Sequence, residues 1–140
     1  MARALLEGVA FEYPPTLELI SPGRDADRPI TLVDGEAHAD AWNQIKADVT
    51  GVPIRTTAIR ESAARGAAIL AGQSVGAFAD AADGTRRAVR FDRIYEPEPE
   101  RHAQYGELRE HYRGVLDAIR PLFRVTDPHA PEENPHDPIT

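Results

Sequence analysis

The sequence contains no cysteine, one methionine and one tryptophan among its 140 residues. Without cysteine there are no disulfides and no thiolate metal sites, and a cytoplasmic setting is the expectation. No apolar run approaches the ~20 residues that a membrane span requires. Nor is there a dense basic run: the net charge is −7 and the pI near 5.2. That argues against a nucleic-acid footprint or an anionic membrane surface. The N-terminus meets Glu7 directly after Leu5 and Leu6, so it is not read as a secretory leader. A Gly-x-x-x-x-Gly-Lys phosphate loop, a Gly-x-Ser-x-Gly elbow and a His-Glu-x-x-His pair are all missing, so no local motif supports catalysis. The length suits one modest domain and not a two-domain enzyme.

What is present is an α/β alternation. Residues 2–12 read as a helix with Leu5, Leu6, Val9 and Ala10 on one side, interrupted by Pro14-Pro15, with a short turn resuming over 16–20. A polar loop follows, then a strand over 30–33 ended by Gly35. Residues 37–50 read as an amphipathic helix, because Trp42, Ile45 and Val49 recur on one face. Gly51 is placed to cap its C-terminus. Residues 52–56 read as a second strand, set at a sheet edge because Pro53 cannot donate to a ladder. Strand, helix and strand imply a parallel pair joined by a right-handed crossover. Helix 61–75 carries an inward side of Ala63, Ala64, Gly66, Ala67, Ala68, Ala71 and Gly72, which predicts close approach to a neighbouring backbone. It continues briefly over 78–82, Asp83-Gly84 turns the chain, and 88–95 is extended. A long helix runs from Pro97-Glu98-Pro99 to about Phe123, with Tyr105, Leu108, Tyr112, Val115, Ile119 and Leu122 in steps of three and four. Residues 125–140 carry four prolines and several acids and are expected to be disordered. The domain organisation read here is therefore 1–124 plus a 125–140 tail.

Three blocks carry a resemblance: Asp34-Gly35-Glu36-Ala37, Ala47-Asp48-Val49-Thr50-Gly51-Val52-Pro53-Ile54, and Glu61 to Gly72. Together they resemble the C-terminal domain of the FGGY family of carbohydrate kinases. That family reads Gly/Asp-Gly-Gly-Ala, then Ala-Asp-(Ile/Val)-x-Gly, then Glu-x-x-Ala-x-Gly-Ala-Ala-x-Leu-Ala-Gly. The flanks, Arg3 to Phe11 and Tyr95 to Glu100 with the final helix, look most like xylulokinases. The resemblance covers about residues 2–123 and implies part of an actin-like, ribonuclease-H-like domain. It also implies a parent reaction in which the ATP γ-phosphoryl group passes to a sugar hydroxyl with Mg²⁺. In such enzymes the Asp-x-Gly-Thr phosphate loop and the catalytic aspartate lie in the N-terminal domain. Neither has a counterpart here, so the isolated chain is expected to be inactive and no residue is nominated as catalytic.

The resemblance places Gly35, Glu36 and Ala37 at the border of the adenosine, with Asp40 nearby and the small face of helix 61–75 beneath. A glycine turn that ends a strand and opens a helix is also a physical place to hold an anion. Glu36 stands where the family has a second glycine. A carboxylate ~5 Å from a phosphate charge costs roughly 3 kcal/mol at an effective dielectric near 20, about a hundredfold in affinity, so the chain alone is expected to hold nucleotide weakly or not at all. Alternatively, Glu36 and Asp40 only complement the positive end of the helix they open. Trp42 is expected to pack in the core rather than stack on adenine, and Asp48 to be a solvated helix residue or a cap. His38, His102, His111, His129 and His136 are read as surface residues, and no metal site is assigned. A two-stranded sheet with an open edge predicts self-association, or pairing with the remainder of a kinase. The rival readings are a non-catalytic interaction module built on the stripe of the last helix, and a nucleotide sensor that binds without chemistry.

Overall fold

The computed structural model describes residues 2–59 and 61–124. The 125–140 tail, with the disorder expected of it and with His129 and His136, lies outside the described residues. The chain divides into two compact units, Met1–Gly106 and Glu107–Thr140.

The first unit opens with α1 (Ala2–Ala10) and α2 (Tyr13–Ile20). Pro14-Pro15 does not end the helical path. It occupies the first turn of α2, where a missing N–H costs nothing because those donors have no intrahelical partner. Only Leu6 and Ala10 of α1 turn inward, while Leu5 and Val9 lie on its exposed flank. The strands are β1 (Ile30–Leu32), β2 (Ile54–Thr57) and β3 (Phe91–Tyr95), in the order β1-β2-β3. β1 and β2 are parallel, with Ile30 opposite Ile54 and Leu32 opposite Thr56. They are joined through α3 (Asp40–Thr50), as the crossover reading requires.

Two expectations about the sheet fail. β2 is central, not an edge, because Pro53 stands just before it and uses only its carbonyl, which accepts from the Ile30 N–H at 2.8 Å. Ladder bonding then begins at Ile54, whose N–H is intact. The sheet also has three strands, since β3 pairs antiparallel to β2, with an irregularity between Arg55 and Thr57. The outer edge of β1 remains unpaired among the described residues.

α3 packs both of its faces. Ile45 and Val49 join Ala10 and Tyr105 in one core cluster, with Trp42 and Phe11 at its border; Ala47 joins Leu32 and Ile54 in another. Gly51 closes α3 at φ +68°, the left-handed conformation open to glycine, and its backbone approaches His102 closely enough that an added Cβ would lie 2.6 Å from the ring.

α4 (Ser62–Ser74) is followed by α5 (Ala81–Ala88), a helix where a turn was expected. Asp80 starts α5 by accepting from the Asp83 N–H at 2.7 Å. Gly84 is therefore not a turn residue: it lets Ile69 of α4 approach, and an added Cβ there would lie 2.6 Å from that side chain. Close approach is realised at Gly72 and Gly84, yet Ala63, Ala64, Gly66, Ala67, Ala68 and Ala71 stay exposed. The small face of α4 is not an inward face in this chain.

α6 (Pro99–Arg124) begins in the first unit. There Tyr105 is buried, meets Phe11 edge-on at 6.1 Å, and donates from Oη to Glu7 at 2.8 Å while accepting from Arg3 at 3.1 Å. In the second unit the described residues are the rest of this helix. Leu108, Val115, Leu122 and Phe123 are exposed along it.

Candidate functional site

β1 leads through Val33 into a single 3-10 stretch, Asp34–His38, and α3 starts only at Asp40. The turn thus joins sheet to helix as expected, but the helix begins three residues later than Ala37. A tight i→i+3 segment takes up those residues. Asp34 sits at φ +58°, a left-handed conformation uncommon for a residue with a side chain. Its carboxylate accepts from the Ser62 N–H at 2.8 Å, so it caps the start of α4 from across the turn. The tie explains how the strained conformation is held.

The four nominated residues fall together and behave differently. Gly35 is exposed, and nothing lies within 4 Å of where its Cβ would be. Ala37 is buried, and its carbonyl accepts from Asn43 Nδ2 at 3.2 Å. Asp40 is exposed but occupied at both oxygens: Arg93 Nη1 lies 2.7 Å from Oδ2 and Tyr95 Oη donates to Oδ1 at 2.7 Å.

Glu36 is turned back into the protein. Its Oε1 accepts from Tyr13 Oη at 2.8 Å and lies 3.2 Å from Lys46 Nζ. Lys46, the sole lysine of the sequence, is fully buried. Its ammonium rests 3.7 Å over the Trp42 ring and 5.4 Å from the centre of the Tyr13 ring. The pair with Glu36 is an ion pair without a well-directed hydrogen bond. Burial holds the Lys46 pKa below the ordinary lysine value, opposed by Glu36. Burial, then the bond to Glu36, pushes the Tyr13 phenol above its ordinary value. Neither Tyr13 nor Lys46 was nominated from the sequence. The signal for Lys46 was there: it stands four residues after Trp42, one helical turn away.

Trp42 packs against the core as expected, and Lys46 stacks on it. Asp48 is a cap and not a solvated residue, being 1% exposed. Its Oδ1 accepts from the Glu98 N–H and from Gln44 Nε2, each at 2.9 Å, and Arg101 lies 3.6 Å from Oδ2. His102 donates from Nδ1 to the Asp48 carbonyl at 2.8 Å. Among the described residues no group of three or more His, Asp or Glu is placed to hold a metal ion. No helix among them is long and apolar enough to cross a membrane.

The chain is similar to known proteins in sequence and in fold. Residues 1–75 match the C-terminal domain of the FGGY family of carbohydrate kinases. The autoinducer-2 kinase of Salmonella paratyphi B is 35% identical over 122 residues, 86% of this chain and 23% of that protein. The Escherichia coli autoinducer-2 kinase is 35% identical over 115 residues, 81% of this chain and 22% of that protein. Among solved structures, the ligand-bound xylulose kinase of Lactobacillus acidophilus superposes with a TM-score of 0.77 at 27% identity, covering 86% of this chain and 24% of that one. The xylulose kinase of Rhodospirillum rubrum gives 0.71 at 28% identity, covering 87% and 25%. The chain spans less than a quarter of the length of these curated relatives. The architecture is accordingly part of an actin-like fold, and the chain belongs to the FGGY family of carbohydrate kinases, as a stretch of its C-terminal domain.

Proposed function

We propose that this chain is the nucleotide-facing segment of a xylulokinase-like, ATP-dependent carbohydrate kinase working in the cytoplasm. In the parent reaction the γ-phosphoryl group of ATP passes to a sugar hydroxyl with Mg²⁺. The observation that carries the reading is the turn itself: Gly35 is open on its surface while Glu36, the residue that would repel phosphate, is held back by Tyr13 and Lys46. Pairing with Lys46 offsets much of the repulsion an outward carboxylate would exert. Gly35 and the backbone of Ala37 border the adenosine in this reading, and Asp40 acts by holding Arg93 and Tyr95 rather than by contacting nucleotide.

The 140 residues contain no Asp-x-Gly-Thr loop, so the isolated chain is expected to bind ADP without turnover. Titration with ADP should move the backbone amides of Gly35 and Ala37, and a coupled ADP-release assay with D-xylulose should stay at background. Turnover above background, or amides that do not move at millimolar ADP, would defeat this reading.

The edge of β1, unpaired among the described residues, supports a partner that adds a strand there, either the remainder of a kinase or a second copy of this chain. Beside it Val9, Tyr13, Leu17, Ile20 and Ile30 line an apolar groove of about 340 Å³. Light scattering on the isolated chain should therefore show a mass that rises with concentration; a monomer at every concentration would count against self-association. A second reading, an interaction module, is favoured by the exposure of Leu108, Val115 and Leu122 on α6. It predicts that the oligomeric state depends on Leu108 and that ADP leaves Gly35 unmoved.

A further inference from the structure

Side chains alternate along the strands, so the face of the sheet that buries Ile30, Leu32 and Ile54 is backed by one that carries Thr31, Arg55 and Thr57. On that second face lies a cavity of about 280 Å³ beneath α4 and α5, lined by Thr31, Arg55, Thr57, Ser62, Arg65 and Thr85. Two arginines and four hydroxyl-bearing residues line it; the Thr57 and Thr85 hydroxyls donate to the carbonyls of Ile59 and Ala81, which leaves those of Thr31 and Ser62 as hydroxyl donors. The Arg55 Nε donates to Thr31 Oγ1 at 2.8 Å, and its guanidinium lies 3.8 Å over the Phe91 ring. Its plane is thereby fixed, and its terminal nitrogens are left to bond elsewhere. Arg65 Nη2 is buried and has no hydrogen-bond partner among the described residues.

Among the described residues no carboxylate forms an ion pair with either arginine. The stretch of chain that supplies most of the lining is basic in composition as well. Positions 55–93 carry seven arginines against four acids, in a chain whose net charge is −7. Two cations that share a cavity repel each other, and the Asp34 carboxylate, which meets the lining residue Ser62, is engaged by that residue's N–H. An oxyanion relieves that repulsion and also satisfies the stranded donor, and guanidinium forks with hydroxyls are the groups that bind one. The volume lies just under the ~300 Å³ lower end of small-molecule pockets, so the occupant is small.

We propose that the Arg55–Arg65 cavity binds a small oxyanion of the phosphate class, either free inorganic phosphate or the terminal group of a phosphomonoester. This site adjoins the turn, since Val33 lines it and Ser62 is tied to Asp34, but it does not use Gly35 and does not depend on a nucleotide binding there.

The test is a titration of the 140-residue chain with sodium phosphate against sodium chloride at matched ionic strength. The Arg55 and Arg65 side-chain N–H signals and the Thr57 and Ser62 amides are followed. Saturable shifts at these groups with phosphate and not with chloride are expected. Arg65→Gln should weaken the affinity about tenfold or more, as loss of a charged hydrogen bond does, whereas Arg86→Gln, outside the cavity, should leave it unchanged. A parallel titration with glycerol phosphate separates the two sources: tighter binding identifies a phosphomonoester, weaker binding the free anion. Equal shifts with chloride, or full affinity in a folded Arg65→Gln variant, would overturn the proposal. Should that variant fail to fold, the parent titration still decides, because absence of saturable shifts in the parent is enough to reject the site. Movement at Gly35 alone would likewise reject it while leaving the nucleotide reading intact.

Discussion

Glu36→Gln is expected to destabilise the chain by about 1–3 kcal/mol at neutral pH, while Lys46→Met should change stability by less than about 1 kcal/mol. The asymmetry follows from burial. The Lys46 side chain is fully buried and that of Glu36 is 41% exposed. Removing Glu36 leaves an ammonium inside the protein against the Trp42 and Tyr13 rings, which costs several kcal/mol in a fully buried pair and less where water reaches one partner. Removing the Lys46 charge leaves a carboxylate that water and Tyr13 can still satisfy, while methionine keeps the contact with Trp42.

The pH dependence has a definite sign. Burial lowers the folded-state pKa of Lys46 below its unfolded value. Between those two values the unfolded chain binds more protons, so stability attributable to this group rises with pH. The cost is fully present below the folded pKa and disappears as pH rises past the ordinary lysine value. Without Glu36 the folded pKa falls further and the window begins lower. Urea unfolding of both variants and the parent from pH 7 to pH 10 should show the Glu36→Gln deficit shrinking as pH rises. Equal losses in the two variants, or a deficit that grows with pH, would reject the account.

Asp48→Ala should cost about 2–4 kcal/mol, the range expected when a buried charged acceptor of several hydrogen bonds is removed. Its carboxylate joins α3, which leads away from the Asp34–His38 turn, to the start of α6: the Glu98 N–H, Gln44 and Arg101 all converge on it. Truncation strands the Glu98 N–H and withdraws negative charge from a helix N-terminus, two penalties that act together. Asp48→Asn retains an acceptor and should lose roughly half as much. Urea midpoints measure the total, and hydrogen exchange at the amides of Glu98, Arg101 and His102 locates it. Unchanged protection there in Asp48→Ala would show that Asp48 does not anchor α6.

The parts of the fold legible from residue order were those governed by neighbours within one or two turns. The stripe of Trp42, Ile45 and Val49 marks the buried side of α3, and Gly51 ends that helix, because periodicity and a left-handed cap are local matters. The parallel pairing of β1 and β2 follows from a strand–helix–strand order that leaves little choice of topology. The misreadings share a different cause. Pro53 looked like an edge marker because the position of the first ladder bond is set by the partner strand, not by the proline. Asp83-Gly84 looked like a turn, yet glycine at position 84 answers the approach of Ile69 from another helix.

At the candidate site the division is the same. Residue order and the three matching blocks sufficed to place Gly35, Glu36 and Ala37 in one turn between a strand and a helix, with Asp40 at the start of that helix, since chain connectivity alone puts them there. Which way Glu36 faces was decided by Tyr13, 23 positions earlier in the chain, and by a lysine whose burial depends on two aromatic rings closing over it. The roles of Asp34, as a cap on Ser62, and of Asp48, as an anchor for Glu98, were decided by elements meeting across 28 and 50 positions. Short-range preferences act through bonds and turns that every sequence window contains. The ionisable groups took their roles from desolvation and from partners that only the packed chain brings within reach.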